Sequence, residues 1–182
     1  VVVASVRFLS LITMRYDVER DAKAMLGLAA GELANALTVV ETSRHDIRAE
    51  AHRLIQKTLP SGSIRGHVLM VTDGSFRILA TSSGGAIWQG QDLDTVMAGG
   101  QPLFMFGERA GVMEVQIGDR QWYAAVDVTQ GNSGAAVAMV PYDRIFMNWR
   151  QTVSMNVTLF VITAAVLLII LYAYFSQAAR AQ

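Results

Sequence analysis

The sequence predicts an α+β fold: a long N-terminal helix packed on a five-stranded antiparallel sheet, followed by a C-terminal helix that crosses a membrane. Three observations carry that expectation. A proline-free stretch at 16–59 repeats apolar residues at helical spacing. Five short β-prone runs follow, separated by turn residues. No charged residue then occurs between Arg150 and Arg180.

The 16–59 stretch is rich in Ala, Leu, Glu, Arg and Lys, all good helix formers. Leu26, Leu33, Leu37, Val40, Ile47, Leu54 and Ile55 recur at intervals of three, four and seven and make one apolar stripe. The reading allows a break within the helix. Asp17, Glu19 and Asp21 are expected at its beginning, where negative charge complements the helix dipole. Pro60, Ser61 and Gly62 end it. An amphipathic helix of this kind needs a surface to lie against.

The following residues supply one. GHVLMVT at 66–72 and FRILAT at 76–81 are strand-like and joined by Asp73-Gly74-Ser75, a hairpin signal. The segment 82–100 is rich in Gly and Ser around IWQGQDLDTVM and reads as short helical turns and loops. Three more strands are expected at 111–117, 120–129 and 134–140, with Gly118-Asp119 and Gln130-Gly131-Asn132 as the turns. Pro141, Tyr142 and Asp143 then lead through 144–150 into the last helix. Long helix, two strands, helical excursion, three-strand meander: the order describes one antiparallel sheet that the helix can cover.

The run at 155–175 is apolar on every face, and at 1.5 Å per residue it extends roughly 31 Å, the thickness of a bilayer's hydrocarbon core. Trp149 precedes it, and Tyr172, Tyr174 and Phe175 lie near its other end, where interfacial aromatics collect. The opening VVVASVRFLSLITM is apolar but too short to span alone, and no initiator Met precedes it. It is read as the end of a first transmembrane helix, a cleaved secretory signal being the alternative. The expected division is 1–14 for that helix end, 15–150 for the soluble domain, 151–176 for the span and 177–182 for the start of a cytoplasmic linker.

Charge and composition narrow the function. Fifteen Lys and Arg balance fifteen Asp and Glu, so neither nucleic acid nor an acidic partner is indicated. The charges fall almost entirely between Arg15 and Arg150, as expected if only that part meets water. Without cysteine there is no disulfide framework, zinc–thiolate site or thiol nucleophile. The positive-inside rule leaves orientation open, since Arg144 and Arg150 precede the span and Arg180 follows it.

The pair HVLMVTDGSFRILATS, then GQDL, then a meander ending AAVAMVPYDRIF directly before an apolar helix, resembles the extracytoplasmic PAS-like sensors called PDC or Cache domains. The resemblance runs over 16–175. It implies a PAS-like sheet in the periplasm, held between two inner-membrane helices of a bacterial receptor, in the first instance a sensor histidine kinase. A chemoreceptor or diguanylate cyclase is the variant output. It further implies a homodimer along the long helix, with Leu33 and Leu37 taken as contact positions. The signal would be a small-molecule ligand or a periplasmic protein. A ligandless membrane-anchored scaffold or dimerisation domain is the rival reading.

Within that frame the strands offer candidate ligand contacts. Tyr123 and Asp127 share one face of the strand at 120–129, and Trp122 and Val126 the other. Asp127 within AAVDV is costly if buried without a partner; Arg77 on a neighbouring strand, or a cationic ligand, would supply one. Trp88 lies in the excursion that covers the pocket in PAS-like folds. Arg77, Trp88, Tyr123 and Asp127 are therefore the expected ligand-binding residues. RQWY at 120–123 resembles a ligand motif of amino-acid-binding Cache domains, displaced in register.

Other motifs carry less. HDIR at 45–48 resembles a histidine-kinase phosphoacceptor box, but Ala49, Glu50 and Ala51 follow it, and a solvated helix face is the expected role. Glu41, His45 and His52 lack the spacing that clamps zinc. His67, at the head of a strand, is expected to be structural. Gly84, Gly85 and Gly90 turn the chain, because no phosphate-loop Lys-Ser/Thr follows them. No Ser, His and Asp are placed for nucleophilic catalysis, so no enzymatic activity, catalytic residue, cofactor or metal is expected for this stretch.

Overall fold

A computed structural model describes residues 2–43, 46–58, 66–131 and 133–180. It divides into two units: Tyr16–Phe146, and Val1–Arg15 with Met147–Gln182. The first is the α+β domain. Helix α1 spans Val2–Thr42 and α2 spans Ile47–Thr58. The sheet contains β1 (Val68–Asp73), β2 (Ile78–Thr81), β3 (Val112–Ile117), β4 (Arg120–Val128) and β5 (Gly134–Pro141). Its order is β2-β1-β5-β4-β3, and each neighbouring pair is antiparallel.

The helix differs from expectation at its start. Because α1 begins at Val2, Asp17, Glu19 and Asp21 stand deep inside it, where they do not serve the N-terminal dipole. They make local ion pairs instead: Asp17 with Arg20 at 3.2 Å, and Glu19 with Lys23 at 2.6 Å. No Gly or Pro separates the apolar opening from the amphipathic stretch, and one helix runs through both. The break is real: α2 restarts at Ile47, and the Asp46 carboxylate caps it by accepting the Arg48 N–H at 2.9 Å. The aspartate of HDIR is thus a helix cap. His45 and the Pro60-Ser61-Gly62 stop lie outside the described residues.

Each face of the sheet is covered. Toward α1 point Tyr123, Ala125 and Asp127 of β4, next to Val140, Ala138 and Ala136 of β5. Ala22, Leu26, Ala30, Leu33 and Leu37 of α1 are buried here. Ala51 and Ile55 of α2 are buried where that helix packs on β1 and β2. Leu33 and Leu37 are 0% exposed. They belong to the domain's own core, which removes them as surface contacts for a dimer. The outward side of α1 carries Met25, Leu28 and Val39 instead.

The opposite face bears Met70, Trp122, Ala124, Val126, Val137 and Met139. The excursion between β2 and β3 folds over it as a 3₁₀ turn at Ser83–Trp88, α3 (Leu93–Val96), α4 (Gln101–Phe106) and a second 3₁₀ turn at Gly107–Ala110. Leu93, Met97 and Leu103 fill the space between. Central β5 is buried along its whole length, as a strand covered on both faces must be.

From β5 the chain enters α5 (Tyr142–Ile145), and one residue later α6 (Met147–Arg180). Pro141 sits at the N-cap of α5 in extended conformation, which starts the turn sharply. In the second unit the large apolar side chains of α6 are solvent-exposed, Leu168, Ile169 and Phe175 among them. Near its start the Arg15 guanidinium lies 5.9 Å from the Trp149 ring centroid. Two helical stretches, Ile12–Thr42 and Trp149–Ser176, are long and apolar enough to cross a membrane. The first includes the side chains that pack on the sheet; none of the second's most apolar window is buried.

Candidate functional site

A cavity of about 700 Å³ opens at the end of the sheet where β1 and β4 finish and β5 begins. Four stretches build it: Asp73, Gly74 and Phe76 from the hairpin, 104–109 from α4 and the 3₁₀ turn, 127–130 at the end of β4, and Gly134 at the start of β5.

The hairpin is organised by Asp73. Its Oδ1 accepts the Ser75 N–H at 2.9 Å, the Ser75 hydroxyl at 2.7 Å and the Arg77 N–H at 3.0 Å. Burial pushes this carboxyl up, but those hydrogen bonds and the Arg77 charge outweigh it and hold the group below the ordinary aspartate value. The same turn places Phe76 in the left-handed region at φ 62°, an uncommon conformation for an aromatic residue. Its ring then meets Phe104, centroid to centroid, at 5.3 Å. Gly107, with φ 52°, reverses the chain after α4 and brings Glu108 back toward the end of β4.

Asp127 is the half-buried carboxylate of this cavity. Burial pushes its pKa up, the nearby Glu108 charge pushes the same way, and the Val128 N–H opposes them only in part. One oxygen, Oδ2, stands 3.6 Å from where a Cβ on Gly31 would sit, so α1 closes over it. Thr129 is 2% exposed, and its buried Oγ1 has no hydrogen-bond partner among the described residues. The site therefore joins carboxylates, a buried hydroxyl and two packed aromatic rings.

The four expected ligand residues are not brought together. Asp127 alone lines this cavity. Arg77 is not on a strand next to β4: β1 and β5 lie between. Its guanidinium is paired with Asp92 at 3.7 Å on the surface. Trp88 packs edge-on against Trp122, with centroids 5.7 Å apart, on the excursion face. Tyr123 is on the α1 face, 1% exposed. Its hydroxyl stands 3.0 Å from Glu19 Oε1 and 3.2 Å from Glu114 Oε1 and donates to one at a time. Lys23 lies 4.7 Å from the centre of its ring.

Phe76, Phe104, Glu108 and Thr129 were not singled out by sequence. The usable signal was FMFGER at 104–109, where a glycine after an apolar run marks a chain reversal and a charged pair follows at once. Among the described residues no three His, Cys, Asp or Glu side chains are grouped to hold a metal ion. No family model and no curated protein matches this chain.

Proposed function

We propose that the chain is the sensing module of a transmembrane receptor, with Tyr16–Phe146 on the periplasmic side of a bacterial inner membrane and α6 crossing it. The parent is a sensor histidine kinase in this reading, and the module itself performs no chemistry. The PAS-like texture of the sequence and the α+β domain joined to a long apolar helix support it. The observation that carries it is an aromatic series at the exit of the sheet. Tyr123, already tied to α1 through Glu19, packs on Tyr142 at 5.8 Å, and Tyr142 packs on Phe146 at 4.7 Å. Phe146 is bonded directly to the first residue of α6. A change in how α1 lies on the sheet thus meets the root of the membrane helix through three rings in contact. Ligand or partner binding would act by favouring one of two such packings. A homodimer through the outward side of α1, at Met25, Leu28 and Val39, would give a dimeric output its symmetric input.

Since the chain has no cysteine, single cysteines test both halves of the reading. In intact bacterial cells Ser83→Cys should react with an impermeant maleimide, and Ser176→Cys only after permeabilisation. A bimane on Gln151→Cys should change emission when ligand or partner binds, and Tyr142→Ala should abolish the change. Labelling of Ser83→Cys only from inside would overturn the topology; a response unaffected by Tyr142→Ala would overturn the aromatic route.

The second reading, a ligandless anchored scaffold, is favoured by one observation: the excursion face is filled by its own side chains, Met70, Met97, Leu103, Trp122 and Met139. It expects no ligand response from Gln151→Cys in an otherwise folded dimer.

A further inference from the structure

We infer that the cavity at the end of the sheet binds an organic monocation, an ammonium group carried on an apolar body. This deepens the sensory reading by naming a ligand class, and its binding claim stands on the cavity alone. Three carboxylates line the space, Asp73, Glu108 and Asp127, against one guanidinium, Arg109. Asp73 is already engaged by its turn through Oδ1. Glu108 and Asp127 come from separate segments and line the same cavity, where the Glu108 charge acts on the half-buried Asp127. Two carboxylates held this way repel one another, and a cation placed between them removes the repulsion.

Acidity alone would draw any cation. Two further features select an organic one. The Phe76–Phe104 pair gives the cavity an aromatic wall, which attracts an ammonium group and shelters its hydrocarbon. Thr129 belongs to the same lining, is 2% exposed, and its buried Oγ1 has no hydrogen-bond partner among the described residues. A buried hydroxyl left unsatisfied costs free energy, and an ammonium N–H is a donor that would satisfy it. A hydrated metal ion would meet the carboxylates but waste the rings. Phe76 and Phe104 pack against the edge of the filled excursion face, so the site opens at the strand ends beside that face and not within it.

The test uses the whole chain in lipid nanodiscs and isothermal titration calorimetry with phenethylamine, its N-trimethyl analogue, the neutral 3-phenylpropan-1-ol and the anionic 3-phenylpropionate. Phenethylamine should bind, its N-trimethyl analogue should bind more weakly because it keeps the charge and the ring but has no N–H for Thr129, and the alcohol and the acid should bind at least about tenfold more weakly than phenethylamine, the loss of one desolvated charge contact. Asp127→Asn and Phe104→Leu should each weaken the cations by a similar factor, with thermal unfolding showing that both variants remain folded. Equal binding of amine and alcohol, undiminished amine binding by Asp127→Asn, or no amine binding at millimolar concentration would each overturn the proposal. The bimane on Gln151→Cys separates this result from the receptor reading. Amine binding without a change in emission leaves the cation site standing and removes the relay. A change in emission produced only by neutral or anionic metabolites does the reverse.

Discussion

The Tyr123 hydroxyl lies 3.0 Å from the Glu19 carboxylate across 104 residues of sequence, and this contact fastens α1 to the centre of the domain. Glu19 also holds Lys23 at 2.6 Å, and Lys23 lies over the Tyr123 ring. Burial and the two neighbouring carboxylates push the Tyr123 pKa upward, so the phenol stays protonated and remains a donor. Tyr123→Phe keeps the ring contacts and deletes only that donor. The variant should lose about 1 kcal/mol of stability, the usual net worth of one such bond, measured by urea unfolding. A loss near zero would mean that Lys23 alone satisfies Glu19.

Asp127 gives a pH signature with a defined sign. In the unfolded chain an aspartate titrates near about 4. Burial first, and Glu108 second, raise that value in the fold. Between the two values the folded protein therefore holds more protons than the unfolded one. The stability this group contributes is full below the unfolded value and is lost as pH rises through the folded value. Asp127→Asn should accordingly be more stable than wild type at about pH 7, with the advantage shrinking as pH falls through the raised folded value and gone once pH is below about 4. Urea unfolding across that range checks it. A constant difference at all pH values would show that the carboxyl titrates alike in both states.

Two glycines should respond in opposite directions. Gly27 lies inside α1, and a Cβ added there meets nothing within 4 Å. Gly27→Ala should stabilise by roughly 0.5–1 kcal/mol, because alanine loses less backbone freedom in a helix. Gly134 opens β5 opposite Asp73, and its Cβ would come within 2.6 Å of the Thr72 carbonyl oxygen. That neighbour is backbone and cannot swing aside. Gly134→Ala should destabilise by about 2 kcal/mol through forced separation of the strands. Thermal melts of the two variants against wild type should move in opposite directions.

These contrasts also show which features a sequence can disclose. Asp73-Gly74-Ser75 and Gly118-Asp119 specify their turns through neighbouring residues, so the strands they join were readable. Tyr123 and Asp127 sharing a face, with Trp122 and Val126 on the other, follows from the two-residue period of a strand. Strand order has no such local signal. Arg77 was placed beside Asp127 on the assumption of adjacency, whereas β1 and β5 intervene. The cavity was hidden for the same reason: Phe76, the 104–109 stretch that carries Phe104 and Glu108, and Thr129 are three segments that only the tertiary fold unites. The opening was expected to be helical, as the end of a first span, but its continuity with the amphipathic stretch in one helix from Val2 to Thr42 was not, because no residue near Arg15 signals either a break or a join.

The outward side of α1 supports the last prediction. Leu28 is 73% exposed and Val39 67%, with Met25 beside them. The spacings of three and eleven residues put all three on one seam of the kind that a second helix covers. Leu33 and Leu37 face the other way and are fully buried in the domain core. Two double variants therefore separate association from folding. Met25→Asp with Leu28→Asp places charges on the exposed seam, and should leave a folded monomer in place of the homodimer proposed above. Leu33→Asp with Leu37→Asp buries two unpaired carboxylates, and should abolish the cooperative unfolding transition altogether. Light scattering of the detergent-solubilised chain reports the first outcome and circular dichroism the second. A Met25→Asp/Leu28→Asp variant as dimeric as wild type would remove this side of α1 as the contact and shift attention to α6, whose apolar surface is the other place where two copies can meet.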